Sequence, residues 1–210
     1  MKQIDVFFSL QSDYCYLLLD RLLGLADRAN TEVVIRPVLP GLIRNAGAFR
    51  DRGAAEMRYF EIDTVRTAAM LGMAYRYPDP PPVQFADGSS WIAAAEQPRV
   101  ERLYRAFVAA ALSGAGLAFI DTVMRLIWDG NTTNWHEGTH LADAVARAGL
   151  DLDQLLALPD ADYAAALAQN HEAMAEAGHW GVPLMVLEGE PFYGQDRFDL
   201  LLWRLKETGP

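Results

Sequence analysis

The chain has 210 residues, of which 51% are hydrophobic and 22% are charged, as in an ordinary folded globular protein. Its formal net charge of -10 argues against binding to nucleic acid or to an anionic membrane, because both favour a basic protein face. No apolar run approaches the roughly 20 residues that cross a bilayer, and Asp5 interrupts the N-terminal segment where a signal peptide has its apolar core. We therefore expect a cytoplasmic protein without nucleic-acid or membrane partners.

The first 40 residues predict a strand, a helix and a second strand. Residues 4–8 are a short apolar run typical of a buried strand, and residues 13–29 carry apolar side chains at helical spacing. The β-branched run 32–37 predicts the second strand. Because the helix is long enough to be a crossover, we expect the two strands to be parallel with a right-handed connection.

The middle of the chain, from about residue 45 to 177, contains no convincing strand pattern. Apolar residues at helical spacing predict helices over residues 57–71, 100–111, 117–127, 141–148 and 160–177. Strand character returns at residues 183–187, and Glu188-Gly189-Glu190 predicts a turn into a second strand at 191–193. A last helix is expected to begin at residues 194–196.

The element order predicts one α/β core with a helical insertion. Neither end of the chain supplies enough strands for a sheet with both faces covered, so the two ends need each other. We expect residues 1–44 and 178–210 to form this core and residues 45–177 to form an all-helical domain inserted after the second strand.

The junction between the first strand and the first helix is the predicted active site. Ser12 stands at the N-cap position and Cys15 lies one turn further in. Free amides and the positive end of the helix dipole stabilise a thiolate or another anion there. Ser12 is either a cap alone or also a donor to a thiolate, and Cys15 is either a small buried side chain or a reactive thiol. As Cys15 is the only cysteine, a disulfide within one chain is excluded.

A second pattern, His136-Glu137-Gly138-Thr139-His140, matches the H-E-x-x-H motif of zinc metalloproteases. That motif requires a continuous helix that places both imidazoles on one face. Here turn-forming residues precede it and Gly138 lies inside it, so we expect the two histidines to straddle a helix start. We predict no metal site.

Three stretches carry a resemblance to a known family. They are Ser12-Asp13-Tyr14-Cys15-Tyr16, Tyr59-Phe60-Glu61-Ile62-Asp63-Thr64-Val65-Arg66, and Gly181-Val182-Pro183-Leu184 together with Phe192-Tyr193-Gly194-Gln195-Asp196-Arg197. With the βαβ, helical, ββα order, they resemble the DsbA-like thioredoxin superfamily. Within it they are similar to 2-hydroxychromene-2-carboxylate isomerases and kappa-class glutathione transferases.

This resemblance implies a thioredoxin-like fold, bound glutathione and a homodimer. It implies that Ser12 lies beside the glutathione sulfur and that Val182, before a cis-Pro183, pairs with the glutathione backbone. It also implies that Gln195 and Asp196 hold the γ-glutamyl end. His179 and Trp180 precede this segment and are candidates for substrate contact, His179 with a carboxylate and Trp180 with an aromatic group.

Three positions depart from the family pattern. Asp13 replaces the usual motif proline and adds a negative charge near the proposed thiolate. Ala48 stands where family members carry Asn, and Glu56 stands near the position of a lysine that pairs with glutathione, with Arg58 as the nearest substitute. Losing both contacts would weaken glutathione binding by a few kcal/mol unless other groups replace them.

The resemblance thus implies a glutathione-dependent isomerase that acts on an aromatic or chromene carboxylate by reversible thiolate addition, and this is the function that we expect. The first alternative is a kappa-like glutathione transferase or a monothiol oxidoreductase that uses Cys15. An alternative of another class is a glutathione-independent protein that binds a small molecule or another protein on the same fold.

Overall fold

The structure is a computed structural model, and it describes residues 1–28, 30–47, 54–86, 89 and 91–207. The described residues form a sheet of four strands: β1 (Lys2–Phe8), β2 (Thr31–Pro37), β3 (Leu184–Leu187) and β4 (Glu190–Tyr193). Their order across the sheet is β2-β1-β3-β4, with β1 and β2 parallel and the other two pairs antiparallel. The predicted parallel pair and the predicted C-terminal hairpin are therefore confirmed.

Helices form most of the rest of the described chain. They are α1 (Asp13–Ala26), α2 (Gly41–Arg44), α3 (Ala54–Leu71), α4 (Pro98–Leu112), α5 (Gly116–Trp128), α6 (His140–Arg147), α7 (Leu152–Leu156), α8 (Asp160–Glu176) and, after a 3-10 turn at Gln195–Arg197, α9 (Phe198–Glu207). All the predicted helices are present. Between residues 45 and 177 the described backbone pairs as β structure at one isolated bridge, Phe85 with Ala93.

The differences from prediction concern short helices and one helix end. Helix α1 ends at Ala26 rather than at residue 29, which lies outside the described residues. Asn30 follows with a φ of +65°, a left-handed conformation that turns the chain toward β2. The helices α2 and α7 have only a turn or so each and were not predicted, because so few residues carry no readable apolar period.

One apolar core joins the sheet to the helical segment. The ring of Phe8 in β1 meets that of Phe107 in α4 edge-on at 6.3 Å, and Phe107 stacks on Phe119 in α5 at 5.6 Å. Gly116 begins α5 so close to the sheet that a Cβ there would lie 3.0 Å from the Cβ of Ile35. The thioredoxin-like α/β fold with helices between β2 and β3 is confirmed, whereas the division into two domains stays a prediction.

Among the described residues, no helix is both long and apolar enough to cross a membrane.

Candidate active site at the start of the first helix

Ser12 caps helix α1, as the sequence predicts. Its backbone is extended, with φ of -97° and ψ of 119°, and its Oγ accepts a 3.3 Å hydrogen bond from the Cys15 N–H. The Ser12 N–H donates in turn to the Ser9 carbonyl at 3.1 Å, which closes the turn between β1 and α1. This geometry places the Ser12 hydroxyl at the positive end of a 14-residue helix, where a negative charge is stabilised.

A cavity of about 310 Å³ lies beside this helix start. Aromatic side chains form much of its wall: Tyr14, Tyr59, Phe60, Tyr77, Trp91, Trp128, Trp180 and Tyr193. The other lining residues are Ser9, Gln11, Ser12, Asp13, Gly41, Leu42, Arg44, Glu56, Gly181 and Val182. We call this space the aromatic cavity. Its apolar walls and few polar groups are typical of a site for a small organic molecule.

Cys15 does not reach the aromatic cavity. Its side chain is fully buried, and its Sγ accepts a 3.5 Å hydrogen bond from the Ser9 N–H. Burial raises the pKa of the thiol to about 12, so almost no thiolate exists at neutral pH. The position therefore corrects the prediction of a catalytic Cys15 and favours the alternative of a small buried side chain.

Asp13 is a buried carboxyl group in the wall of the aromatic cavity. Its side chain is only 4% exposed, and its Oδ1 accepts a 2.9 Å hydrogen bond from the Tyr14 N–H. Burial raises the pKa of Asp13 to about 7, and hydrogen bonding to Tyr14 and Tyr75 offsets only part of that rise. The sequence shows Asp13 as an extra negative charge, but burial brings the pKa of this carboxyl close to neutral pH, so it is far more readily protonated than an exposed aspartate.

A hydrogen-bonded cluster joins α1 to α3 at the rim of the aromatic cavity. The Tyr14 hydroxyl donates to Asp63 Oδ2 at 2.6 Å, and Asp63 Oδ1 accepts from Arg66 Nε at 2.9 Å and Nη2 at 2.5 Å. Arg66 Nη2 also donates to the Tyr59 hydroxyl at 2.9 Å. Burial alone would raise the pKa of Asp63, but the hydrogen bonds from Tyr14 and Arg66 lower it overall. The Tyr59, Asp63 and Arg66 of the sequence motif thus act together to position Tyr14.

The turn below the aromatic cavity is held by residues from distant parts of the chain. The Tyr104 hydroxyl lies 2.6 Å from Ser9 Oγ and accepts from the Leu10 N–H at 2.9 Å. The Trp128 indole N–H donates to the Leu10 carbonyl at 3.0 Å. Hydrogen bonds from two helices therefore fix the backbone that presents Ser12.

The segment before β3 forms the opposite wall. Val182 lines the aromatic cavity and precedes Pro183 through a cis peptide bond, as the resemblance implies. Trp180 also lines the cavity and is 42% exposed. Gly181 has no room for a side chain, because a Cβ there would collide with the ring of Tyr193. Val182 and Trp180 thus both lie at the cavity, and their roles in binding glutathione and substrate stay predictions.

His179 is not among the described residues that line the cavity. Its Nδ1 accepts a 2.8 Å hydrogen bond from the Gly181 N–H, and its ring stacks on Tyr193 with centroids 3.8 Å apart. The predicted contact with a substrate carboxylate therefore has no support from this position. His179 instead supports the wall that Tyr193 and Trp180 form.

The two residues predicted to hold the γ-glutamyl end of glutathione, Gln195 and Asp196, bind other side chains of the protein. Gln195 is buried, and its Oε1 and backbone carbonyl both accept from Arg21 of α1. Asp196 is exposed and pairs with Arg197 at 2.9 Å. Neither Gln195 nor Asp196 is among the described residues that line the aromatic cavity. Of the residues that the resemblance assigns to glutathione, Ser12 and Val182 therefore line the aromatic cavity, whereas the two assigned to the γ-glutamyl end do not.

Arg44 supplies a cation to the cavity that the sequence analysis missed. It ends α2, and its Nε donates to the Leu39 carbonyl at 2.8 Å, while burial lowers the pKa of its guanidinium. Arg58, the substitute suggested from the sequence, is exposed and is not among the described lining residues, whereas Glu56 is. Ala48 lies outside the described residues. Arg44 could have been predicted from the parallel pairing of β1 with β2. In a parallel pair, the segments that follow the two strands lie at the same edge of the sheet, which places the segment of Arg44 near that of Ser12.

The H-E-x-x-H stretch does not form one helical face. His140 is the first residue of α6, and His136 lies in the turn before it, as predicted. Among the described residues, no cluster of three or more metal-ligating side chains is present.

A family model for the DSBA-like thioredoxin domain matches residues 3–206 of the chain. A comparison with curated proteins finds no match.

Solved structures share the fold at low sequence identity. A 2-hydroxychromene-2-carboxylate isomerase superposes with a TM-score of 0.66 at 20% identity, over 98% of this chain and 95% of the other. A probable DsbA oxidoreductase from Streptomyces coelicolor gives 0.67 at 18% identity, over 99% and 89%. The cytosolic disulfide reductase DsbM from Pseudomonas aeruginosa gives 0.61 at 16% identity, over 99% and 100%. At these identities the likeness shows the fold alone.

Proposed function

The chain belongs to the family of DSBA-like thioredoxin domains, and from this premise we propose that it is a glutathione-dependent isomerase of a small aromatic carboxylate, of the 2-hydroxychromene-2-carboxylate type. One observation carries the proposal. The helix start presents the Ser12 hydroxyl to an aromatic cavity, while the one cysteine of the chain is buried beneath it. The sulfur nucleophile of such a site must therefore come from an external thiol.

Ser12 and the first amides of α1 hold the negative charge of that sulfur. Ser12 remains the N-cap while its hydroxyl donates toward the cavity, because its oxygen accepts from the Cys15 N–H. When bound, glutathione would supply a thiolate whose reversible addition to the conjugated system lets a bond rotate before the same carbon–sulfur bond breaks. Because the thiol is recovered, the chain needs neither a second cysteine nor an oxidant.

Asp13 is the acid–base group of the proposed site. Its carboxyl lies in the cavity wall next to Ser12, and its pKa near 7 allows it to accept a thiol proton and return it at neutral pH. The raised pKa also weakens the repulsion between Asp13 and a thiolate, because the carboxyl is more readily neutralised. The replacement of the family's proline by Asp13 is then compatible with thiolate chemistry.

The walls of the cavity favour an aromatic anion as the substrate. Trp91, Trp128 and Trp180 offer flat apolar surfaces, and the Arg44 guanidinium offers hydrogen bonds to a carboxylate. Burial of Arg44 strengthens such a pair, since fewer water molecules compete for it.

The test is turnover of 2-hydroxychromene-2-carboxylate with and without reduced glutathione. We expect turnover that requires glutathione and that falls in Ser12→Ala. Absence of turnover under both conditions would overturn the isomerase assignment, and equal turnover without glutathione would overturn the cofactor. Unchanged turnover in Ser12→Ala would leave Ser12 as a cap alone.

A glutathione-independent binding protein is the second candidate function. It is favoured by Gln195 and Asp196, which contact Arg21 and Arg197 rather than the cavity. Calorimetry with reduced glutathione separates the two candidates, because the glutathione-independent binding protein would give no heat of binding.

A transferase or oxidoreductase that uses Cys15 is disfavoured, because its thiol is buried. A glutathione adduct on Cys15, detected by mass spectrometry, would support that function again. A cytoplasmic location and a homodimer are part of the proposal.

A further inference from the structure

A second cavity, of about 290 Å³, lies where the start of α4 meets the turn before α6. Its described lining residues are Gln84, Pro98, Arg99, Arg102, Leu103, Trp135, His136 and Leu141. It shares none of them with the aromatic cavity. We call it the basic cavity, because its charged side chains are cationic in a protein whose net charge is -10.

Two arginines on one face of α4 supply this positive charge. Arg99 and Arg102 are three residues apart, so their side chains project from the same side of the helix. Arg99 Nε donates to the Pro81 carbonyl at 3.2 Å, and neither guanidinium pairs with a carboxylate among the described residues. Burial is the main reason that the pKa of the His136 imidazole is lowered, and the nearby charges of Arg99 and Arg102 add to that effect while Glu137 opposes it. The charges therefore converge on one region.

Two buried polar atoms in the same cavity lack a partner. His136 Nδ1 and Gln84 Oε1 make no hydrogen bond with the described protein. The backbone of Gln84 is fixed, because its N–H donates to Gln97 Oε1 at 2.9 Å and its carbonyl accepts from Gln97 Nε2 at 2.7 Å. An unsatisfied buried polar atom is unfavourable. A bound oxyanion would accept from His136 Nδ1 in the tautomer that carries its proton there, whereas Gln84 Oε1, an acceptor, requires a donor such as a hydroxyl group on the ligand.

The remaining wall is apolar and largely buried. The Trp135 indole is buried, donates to the Pro80 carbonyl at 2.8 Å and meets the His136 ring at 5.7 Å. Leu103 and Leu141 are also buried. Polar donors at one side and apolar surface at the other are suited to a molecule with a charged head and an apolar body.

We propose that the basic cavity binds a small organic anion, with its carboxylate or phosphate group on Arg99, Arg102 and His136 and its apolar body against Trp135 and Leu141. Guanidinium groups recognise both kinds of oxyanion through paired hydrogen bonds, and the imidazole adds a further donor. The apolar wall disfavours a bare inorganic ion relative to an anion that carries a ring. This site is separate from the proposed isomerase site and does not depend on its activity.

The experiment is calorimetric titration of the full chain with benzoate, phenyl phosphate and inorganic phosphate. Because benzoate also suits the aromatic cavity, each titration is repeated with Arg44→Gln and with the double variant Arg99→Gln, Arg102→Gln. We expect a binding event that persists in Arg44→Gln and weakens at least about tenfold in the double variant. Whichever of benzoate and phenyl phosphate binds with the higher affinity identifies the preferred charged group. Inorganic phosphate is expected to bind more weakly than phenyl phosphate.

Absence of binding by all three probes, or equal binding in the double variant, would overturn the proposal. If the double variant does not fold, Arg102→Gln alone replaces it, because the Arg102 side chain is exposed. Turnover with glutathione should be the same in the double variant as in the wild type, so a failure of the isomerase assignment is distinguished from a failure of this site.

Discussion

The Tyr14 hydroxyl donates a 2.6 Å hydrogen bond to Asp63 Oδ2 and so joins the helix that begins beside Ser12 to the long helix α3. Tyr14 also packs edge-on against Phe60, with centroids 5.2 Å apart. Arg66 in turn donates two hydrogen bonds to Asp63 Oδ1. The start of α1 is thus braced by residues about 50 positions away in sequence, two of which, Tyr59 and Phe60, line the aromatic cavity with Tyr14.

This contact can be measured by a double-mutant cycle of Tyr14→Phe and Asp63→Asn. Each single variant should lose about 1–2 kcal/mol of the free energy of unfolding, because a charge-assisted hydrogen bond is broken at a partly buried site. The double variant should lose clearly less than the sum of the two. Urea unfolding of the four proteins is the measurement, and strict additivity would show that the two side chains do not interact.

Asp13 should make stability depend on pH in a defined direction. Its pKa rises from 3.8 to about 7 on folding, so the folded protein holds this proton more tightly than the unfolded chain does. The wild type should therefore lose up to about 4 kcal/mol of stability from this group as the pH rises from about 4 to about 7. Asp13→Asn removes that loss, and its stability relative to wild type should rise over the same range.

The measurement for Asp13 is urea unfolding of both proteins at several values between about pH 4 and pH 8. Asp162→Asn, a change at an exposed aspartate in the first turn of α8, is the control for the loss of a surface carboxylate. A constant difference between wild type and Asp13→Asn would contradict the burial of a charged group at this position.

Ser12→Ala should affect both stability and turnover. Loss of the cap costs about 1 kcal/mol, because the Cys15 N–H loses its acceptor. Asp151→Ala is the matched control, since Asp151 caps α7 by accepting from the Gln154 N–H at 2.9 Å, outside the aromatic cavity. We expect similar destabilisation in both variants and loss of isomerase turnover only in Ser12→Ala. If both variants lost the same amount of turnover, the loss in Ser12→Ala would be due to destabilisation of the fold rather than to the missing hydroxyl.

Cys15 should be inert in the native protein. Its thiol is fully buried with a pKa of about 12, so iodoacetamide at about pH 8 should label it only after unfolding. Cys15→Ala should cost about 1–2 kcal/mol of stability by leaving a small cavity and should leave turnover unchanged. Mass spectrometry of native and denatured samples is the measurement, and rapid labelling of the native protein would contradict the buried position.

Arg44→Gln should raise the KM for an aromatic carboxylate about tenfold or more, because one charge-assisted hydrogen bond is lost. A matched control is Arg28→Gln, which removes an exposed cation just beyond the other end of α1. Steady-state kinetics at several substrate concentrations separate KM from kcat. Equal KM values in Arg44→Gln and wild type would show that the carboxylate binds elsewhere.

Local patterns predict the site only where the function of a residue follows from its neighbours in sequence. The cap at Ser12 and the bend at Val182-Pro183 are of this kind, and both occupy the predicted places around the cavity. Gln195 is not of this kind, because packing brings it against Arg21 of α1, which is distant in sequence. Asp196 pairs with its neighbour Arg197 and lies away from the cavity. Of these four motif positions, two therefore lie at the cavity and two lie away from it.

By itself, the sequence determines the order of strands and helices, the parallel start of the sheet and the exclusion of a disulfide within one chain. These features follow from apolar periodicity and turn residues, which are read from neighbouring residues in the sequence, and from the number of cysteines, which is a matter of composition. Only the tertiary structure decides that the Cys15 thiol lies in the core, that the Asp13 carboxyl is dehydrated, and that Arg44 faces the aromatic cavity. The burial and the protonation of a side chain depend on contacts between segments that are distant in sequence, such as the contact between Tyr104 and Ser9. The pattern of neighbouring residues does not predict such contacts.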